Sequence, residues 1–442
     1  MNKNIGKYSV GYALLKLYLQ TAHNKLYYRK VTVTGEENIP KDGPVIFAAN
    51  HPNHLMDPLA ILFTLPGQPV FMARADIFQS KFLAKILNGF KILPIYRQRD
   101  GFKTVQNRNE AIAEIVVDHL LKKRKLVIHP EGSTVQSRKV RPLKKGLARL
   151  AFQTAEAGNF DLDLKIVPAG IHYGNFSKHG SELLVQYGEP IMLKDYFASY
   201  HENSVVTINQ LTKDIHIRMM ELTPHFKDQD VSDLTMIEEQ QLMDTPQSER
   251  FLYMQDYANR LAELKESDPA AWTEVQESYK HYRNTLAKGG VKERNLHNFS
   301  YPVSNFNMVA AVLASPLALW GTLHHMPSLF LSHKLASIDK DPESYSMMRY
   351  ASSALTLPIF YGTYMGAMAY FTDWQTSLVY GVSLPLTAFI ATRMRNTYEH
   401  VYFRGKFHWL KSTKKKLFEQ IKASGKSLQE KIKDMDKAKA TS

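Results

Sequence analysis

Two residues six positions apart raise the first chemical question. His51 follows a short apolar run, Val45 to Ala49, and Asp57 stands immediately before Pro58 and a second apolar run. The first run has the length and composition of a buried strand. Asp57-Pro58 has the form of a helix start, with Asp57 as N-cap and Pro58 at the first helical position. A His at a strand end and an Asp at the next helix start can meet across a short loop. The carboxylate then fixes one imidazole tautomer and makes the ring more basic, as a general base acting on a hydroxyl requires. His54, three residues before Asp57, is the other candidate base.

Three further stretches carry polar groups at the ends of apolar runs. Gly89-Phe90-Lys91-Ile92-Leu93-Pro94-Ile95-Tyr96-Arg97 ends on an arginine. A guanidinium there offers a planar fork of donors suited to a phosphate monoester. Arg99 and Lys103 follow and extend a basic pocket. Leu126-Val127-Ile128-His129-Pro130-Glu131-Gly132-Ser133-Thr134 places a carboxylate and a glycine in a turn after a strand, where backbone N–H groups can face an anion. Glu131 is expected to accept hydrogen bonds from a substrate hydroxyl or to orient Arg97. Arg138, Lys139, Arg141, Lys144 and Lys145 crowd after this turn and suit anionic headgroups or the phosphates of coenzyme A. The last stretch is Ile166-Val167-Pro168-Ala169-Gly170-Ile171-His172-Tyr173.

Asn-His-Pro-Asn-His-Leu-Met-Asp-Pro resembles the first motif of the glycerophospholipid acyltransferases, whose usual spacing is His, four residues, Asp. Here five residues intervene, a departure similar to the fungal-type glycerol-3-phosphate acyltransferases and many bacterial relatives of the longer kind. The other three stretches resemble the later motifs of the same family, in the same order, over roughly residues 45–173. His129 stands where the family has Phe. The resemblance favours His51 over His54, because Asn50-His51 closes the strand as the family motif does. It implies His51 and Asp57 as the catalytic pair. It implies substrate contacts from Arg97, Arg99, Glu131, Gly132 and Ser133, and Pro168 at a strand end lining the acyl site. It also implies transfer of an acyl group from acyl-coenzyme A or acyl carrier protein to a glycerophosphate hydroxyl. No cofactor and no metal are expected. The 1-acyl derivative of glycerol 3-phosphate is favoured narrowly over glycerol 3-phosphate itself. A catalytically silent lipid-binding protein of the same fold is the alternative.

Residues 28–200 alternate strand-like and helix-like segments. That pattern gives an α/β acyltransferase domain with a mixed, substantially parallel sheet, whose sites lie beyond the carboxyl ends of the strands. Residues 1–27 read either as an amphipathic helix at a membrane interface or as an ordinary packing helix. Residues 201–302 are rich in Glu, Gln, Lys and Met with helical periodicity, and read as a helical insert.

Residues 303–393 are the most apolar part and read as C-terminal membrane helices. Ala351 to Phe371 and Gln375 to Thr392 are uncharged and nearly adjacent. Each approaches the ~20 residues that cross a bilayer, so together they suggest a membrane hairpin. Asn305 to Ser332 is expected to be one broken span or a re-entrant hairpin. His324-His325 is taken as an interfacial or packing feature. Basic residues flank the hairpin on both sides, which places the catalytic domain and residues 394–442 on the cytoplasmic face, in a bacterial inner membrane.

The net charge of +14 invites a nucleic-acid reading, but it is unevenly placed. From Arg393 onward fourteen Lys and Arg stand against five Asp and Glu. A basic tail after an apolar segment fits anionic lipid better than DNA. The chain has no cysteine, which excludes disulfides, thiolate zinc sites and a cysteine nucleophile.

Overall fold

The computed structural model describes residues 5–96, 105–226, 228–242, 245–291, 305–339, 341 and 343–440. Two compact units emerge: residues 1–223 with 328–360, and residues 224–327 with 361–442.

The first unit is built on an eight-stranded sheet. In chain order the strands are β1 (Lys30–Thr34), β2 (Val45–Ala49), β3 (Val70–Arg74), β4 (Ile92–Ile95), β5 (Lys125–Ile128), β6 (Lys165–Tyr173), β7 (Glu182–Tyr187) and β8 (Ile191–Met192). Their spatial order is β1-β7-β6-β2-β5-β3-β4, with β8 beside β6. β6 runs antiparallel to β7 and β8, and every other pair is parallel. The sheet is therefore mixed and mostly parallel, as the alternation of elements predicts.

Both faces are covered, as parallel sheets require. The two-residue period of β2 divides its side chains between two cores. Ile46 and Ala48 pack with Val116, Leu120, Leu147 and Phe152 on one face. Val45, Phe47 and Ala49 pack with Ala60, Ile61, Phe63 and a set of tyrosines on the other. β2 is fully buried and central, so its carboxyl end points His51 out of a rigid platform.

Several boundaries move. The helix Ser204–Glu221, assigned from sequence to the insert, belongs to the first unit: its Leu211, Ile215 and Met219 lie in the same core as Ile46. Gly170 of β6 shows how close this chain segment runs, since a Cβ there would sit 1.9 Å from the Leu222 carbonyl oxygen. The helix Val10–Thr21 packs on the first unit through one face only. Tyr12 is buried in the core while Tyr8, Val10, Leu14 and Leu17 stay exposed.

The second unit contains Gln229–Gln241, Gln247–Ser267 and Pro269–Gly289, which are helical as expected for the insert. The basic tail is helical and packed. Lys415–Ala440 is a helix whose Phe418, Ile421, Leu428, Ile432 and Met435 pack with Trp272, Val275, Tyr279 and Tyr282. Its spacing of three, four and seven residues makes one apolar stripe, hidden at sequence level by the surrounding lysines.

Asn305–Ala336 is one continuous helix containing Pro316 and Pro327, so the broken or re-entrant form expected for it is not seen. Tyr345–Phe371 and Trp374–Thr413 form the other apolar helices, separated by Thr372 and Asp373. Among the described residues, two helices are long and apolar enough to cross a membrane: Met308–Ala336 and Trp374–Thr413. Tyr345–Phe371 is not one of them, because its Tyr, Ser, Thr and Gly residues dilute the apolar run.

Candidate active site

The site forms at the carboxyl end of β2. Asn50 fixes the strand exit: its side chain donates to the Ile171 carbonyl at 3.0 Å and accepts from the Ile171 N–H at 2.8 Å. This double bond across to β6 satisfies both ends of a buried amide, so the chain leaves the sheet in a defined direction.

His51 comes next. Its Nδ1 lies 2.8 Å from Asp57 Oδ2. Asp57 is not the N-cap of the following helix, which runs Met56–Thr64. It sits in the first turn, Pro58 comes third, and the carboxylate turns back over the loop instead. There it accepts from the Asn53 N–H at 2.6 Å and from the Tyr173 hydroxyl at 2.7 Å. Its Oδ2 therefore serves both His51 and Asn53, while Oδ1 serves Tyr173. The negative end of His51's environment is thus anchored from the loop and from the end of β6.

Asp57 is wholly buried, while the His51 side chain keeps 19% of its surface exposed. Burial pushes the Asp57 carboxyl up to about 7, against the pull of its donors. Burial also pulls the His51 imidazole down to about 3, with neighbouring His54, Arg141 and Arg74 adding to the effect. His51 therefore rests neutral, and is less basic than a free imidazole rather than more basic as its pairing with Asp57 leads one to expect. With Nδ1–H turned to Asp57, Nε2 carries the lone pair and makes no hydrogen bond among the described residues. This is the arrangement of a general base.

His54 does not compete for Asp57. It adopts a left-handed backbone (φ 40°) and points its Nε2 toward Glu343 at 3.6 Å and Asp341 at 3.9 Å.

Glu131 supports the same loop from β5. One carboxylate oxygen accepts from the His51 N–H at 3.1 Å, and the other accepts from Arg141 Nε at 2.6 Å. Arg141 also donates to Ser133 Oγ at 2.6 Å and to the Ser133 carbonyl. Both carboxylate oxygens of Glu131 are thus engaged, by Arg141 and by the His51 backbone. Burial pushes its carboxyl up to about 7, with the Arg141 guanidinium pulling the other way. Gly132 takes φ 70°, where a side chain would be strained, and its N–H donates to the His129 carbonyl at 3.2 Å. That N–H closes the turn, contrary to the expectation of free N–H groups there.

Of the basic residues after the turn, Arg138 and Arg141 spend donors on the protein. Arg138 reaches the Tyr173 carbonyl at 2.7 Å and the Gly174 carbonyl at 3.1 Å. Lys139, Lys144 and Lys145 are exposed. Pro168 is not at a strand end, because β6 continues to Tyr173. It is buried at the point where β6 changes antiparallel partner, between the β8 pairs at Lys165 and Ile166 and the β7 pairs starting at Ala169. A residue without an N–H fits that gap. Arg97, Arg99 and Lys103 lie outside the described residues.

His129, at the family's Phe position, stacks on His51 with ring centroids 4.4 Å apart and planes 18° from parallel. Its Nδ1 lies 3.2 Å from the Ala49 carbonyl and 3.1 Å from the Asn50 carbonyl, which makes that nitrogen the donor. Burial, with the His51 ring second, pulls its imidazole down to about 3. His129 is therefore a neutral flat surface under the base.

Sequence reasoning gave no role to Tyr173, Asn53 or the Asn50 clamp. Tyr173 is hardest to see: it lies 116 residues from Asp57 and reaches it only because β6 lies next to β2.

Residues 30–172 match the family model for acyltransferases. The chain is 29% identical over 142 residues to glycerol-3-phosphate O-acyltransferase 2 of Saccharomyces cerevisiae, covering 32% of this chain and 19% of that protein. It is 30% identical over 126 residues to 1-acyl-sn-glycerol-3-phosphate acyltransferase of Borreliella burgdorferi, covering 28% and 47%. The chain thus spans less than half the length of these curated relatives. The crystal structure of the 1-acyl-sn-glycerophosphate acyltransferase PlsC from Thermotoga maritima aligns with 46% of this chain and 78% of its own, at 20% identity and a TM-score of 0.33.

Proposed function

On the premise that residues 30–172 are an acyltransferase-family domain, we propose that the protein is a membrane-bound O-acyltransferase acting on a glycerophosphate hydroxyl. The observation that carries this reading is the His51–Asp57 pair at 2.8 Å, with His51 neutral and its Nε2 unengaged. His51 Nε2 takes the proton of the acceptor hydroxyl as its oxygen attacks the carbonyl of an acyl thioester. Asp57 keeps Nδ1–H in place and offsets the charge of the imidazolium that forms. As the carbon–sulfur bond breaks, the imidazolium returns the proton to the departing thiolate. The products are an ester and a free thiol, with no acyl-enzyme intermediate.

The acyl donor is acyl-coenzyme A or acyl carrier protein. Of the acceptors, 1-acylglycerol 3-phosphate is narrowly favoured. Its acyl chain keeps it in the bilayer, where the exposed apolar side chains of Val10–Thr21, Met308–Ala336 and Trp374–Thr413 would hold the enzyme. The name of the Borreliella relative supports the same acceptor, and that of the yeast relative supports glycerol 3-phosphate.

Competition between the two acceptors for one acyl donor tests this order, with preferential acylation of the 1-acyl compound expected. Arg97→Ala is expected to raise KM for the phosphate acceptor far more than KM for the donor. Equal acylation of monoacylglycerol would contradict a phosphate-bearing acceptor.

A further inference from the structure

Three side chains outside the catalytic pair converge on one point. His54 lies in the loop between β2 and Met56–Thr64, and Asp341 and Glu343 immediately precede the helix Tyr345–Phe371. All three belong to the first unit. One donor atom from each lies within 4.8 Å of the other two. His54 Nε2 is 3.6 Å from Glu343 Oε2 and 3.9 Å from Asp341 Oδ2. Both separations are too long for a hydrogen bond. They are near the ~3–4 Å that separates neighbouring donors bound to one ion at about 2.1 Å.

Two observations make this more than an acidic cluster. His54 Nε2 is enclosed and has no hydrogen-bond partner, an arrangement proteins rarely leave standing. The two carboxylates are also positioned by their second oxygens. Glu343 Oε1 accepts from the Gln136 N–H at 3.1 Å, and Asp341 Oδ1 accepts from the Glu343 N–H at 2.9 Å. Glu343 thus presents Oε2 to the imidazole, and Asp341 presents Oδ2, which also accepts from the Ser344 hydroxyl at 3.4 Å. Outer contacts of this kind orient metal ligands.

We propose that His54, Asp341 and Glu343 form a binding site for a divalent transition-metal ion, of the Mn²⁺ or Zn²⁺ class. One imidazole nitrogen and two carboxylate oxygens suit such ions better than Mg²⁺, which prefers oxygen alone. An ion there ties Asp341 and Glu343 to the loop that carries His51, three residues from His54. Its role is structural: it fixes the loop, and the acyl transfer needs no electron or ligand from it.

The test uses full-length protein stripped of metal and titrated with Mn²⁺. Mn²⁺ avoids the adventitious capture of Zn²⁺ that a chain with 17 histidines invites. Calorimetry is expected to show one saturable Mn²⁺ site per chain, weakened at least about tenfold in Glu343→Gln and in His54→Ala. Electron spin echo spectra of bound Mn²⁺ should carry the modulation of a single imidazole nitrogen, absent in His54→Ala. Mn²⁺ should raise the melting temperature of the wild type and not of Glu343→Gln. The isosteric Glu343→Gln keeps the test decisive if His54→Ala folds poorly. Absence of saturable binding, or equal binding by wild type and Glu343→Gln, would show that the three side chains only pair with one another, and would overturn the site. The acyl-transfer reading stands or falls separately, on thiol release.

Discussion

His129 lies flat beneath His51, 4.4 Å away, with both rings neutral. Burial holds the folded-state His129 near 3, below its ordinary 6.5. The folded protein therefore binds fewer protons than the unfolded chain between those values. This contribution to stability is complete above 6.5 and is lost as pH falls toward 3. His129→Phe keeps a ring in place and removes the titration. Melting temperatures across pH should show the variant gaining on the wild type as the solution is acidified, by at least roughly 2–4 °C, the shift that 1 kcal/mol gives in a domain of this size. Parallel curves would mean that His129 is not held neutral by burial.

Removing the base separates the two histidines. His51→Ala should lower turnover by about 10²–10⁴, the usual worth of general-base catalysis, with little change in melting temperature. Asp57→Asn should also be severe, because the tautomer and the charge are lost together. His54→Ala should be milder, since the His54 ring faces Glu343 and Asp341 rather than the Asp57 carboxylate. Loss of turnover in His54→Ala with His51→Ala active would reverse the assignment.

Arg141 serves stability and the site together. Its Nε reaches the buried Glu131 carboxylate, which in turn holds the His51 N–H. Arg141→Met leaves that carboxylate without its charge partner. The expected cost is about 3 kcal/mol, the low end for a buried pair because Arg141 is itself partly exposed. Glu131→Gln in the Arg141→Met background should recover part of it. Urea unfolding measures both, and a double variant no more stable than Arg141→Met would show that the pair's charge is not what matters.

The apolar helices lend themselves to labelling, because the chain has no cysteine of its own. Gln375→Cys lies in the first turn of Trp374–Thr413, and Lys426→Cys lies on the exposed side of Lys415–Ala440. If the segment from 351 to 392 is a membrane hairpin, an impermeant maleimide should reach these two positions from opposite sides. Labelling of both from one side would rule the hairpin out.

Much of this was written in the sequence, and the omissions have physical causes. β2 and its exit at Asn50-His51 were legible because a fully buried strand leaves a continuous apolar run. The His51–Asp57 contact was legible because both residues lie on one short loop. Asp57's place inside the first helical turn rather than at the cap was not, since a carboxylate that caps a helix and one that turns back over its own loop share the same Asp-Pro signature. Glu131's contact with Arg141 was not legible for a similar reason. Arg97 and Arg141 are equally basic in sequence, and only the fold of the turn at Gly132 brings Arg141 to the carboxylate. Tyr173 depends on strand order, which no local pattern encodes. The tail helix was missed because its apolar stripe sits among lysines that dominate composition.

The central claim is that the His51–Asp57 pair moves an acyl group onto a glycerophosphate hydroxyl. Thiol release from acyl-coenzyme A or acyl carrier protein, followed with and without acceptor in phospholipid vesicles, tests it most directly. The expected result is rapid release with 1-acylglycerol 3-phosphate or glycerol 3-phosphate, stoichiometric with new ester, and almost none without an acceptor or in His51→Ala. Release independent of acceptor, or no release with either donor and either acceptor, would contradict it.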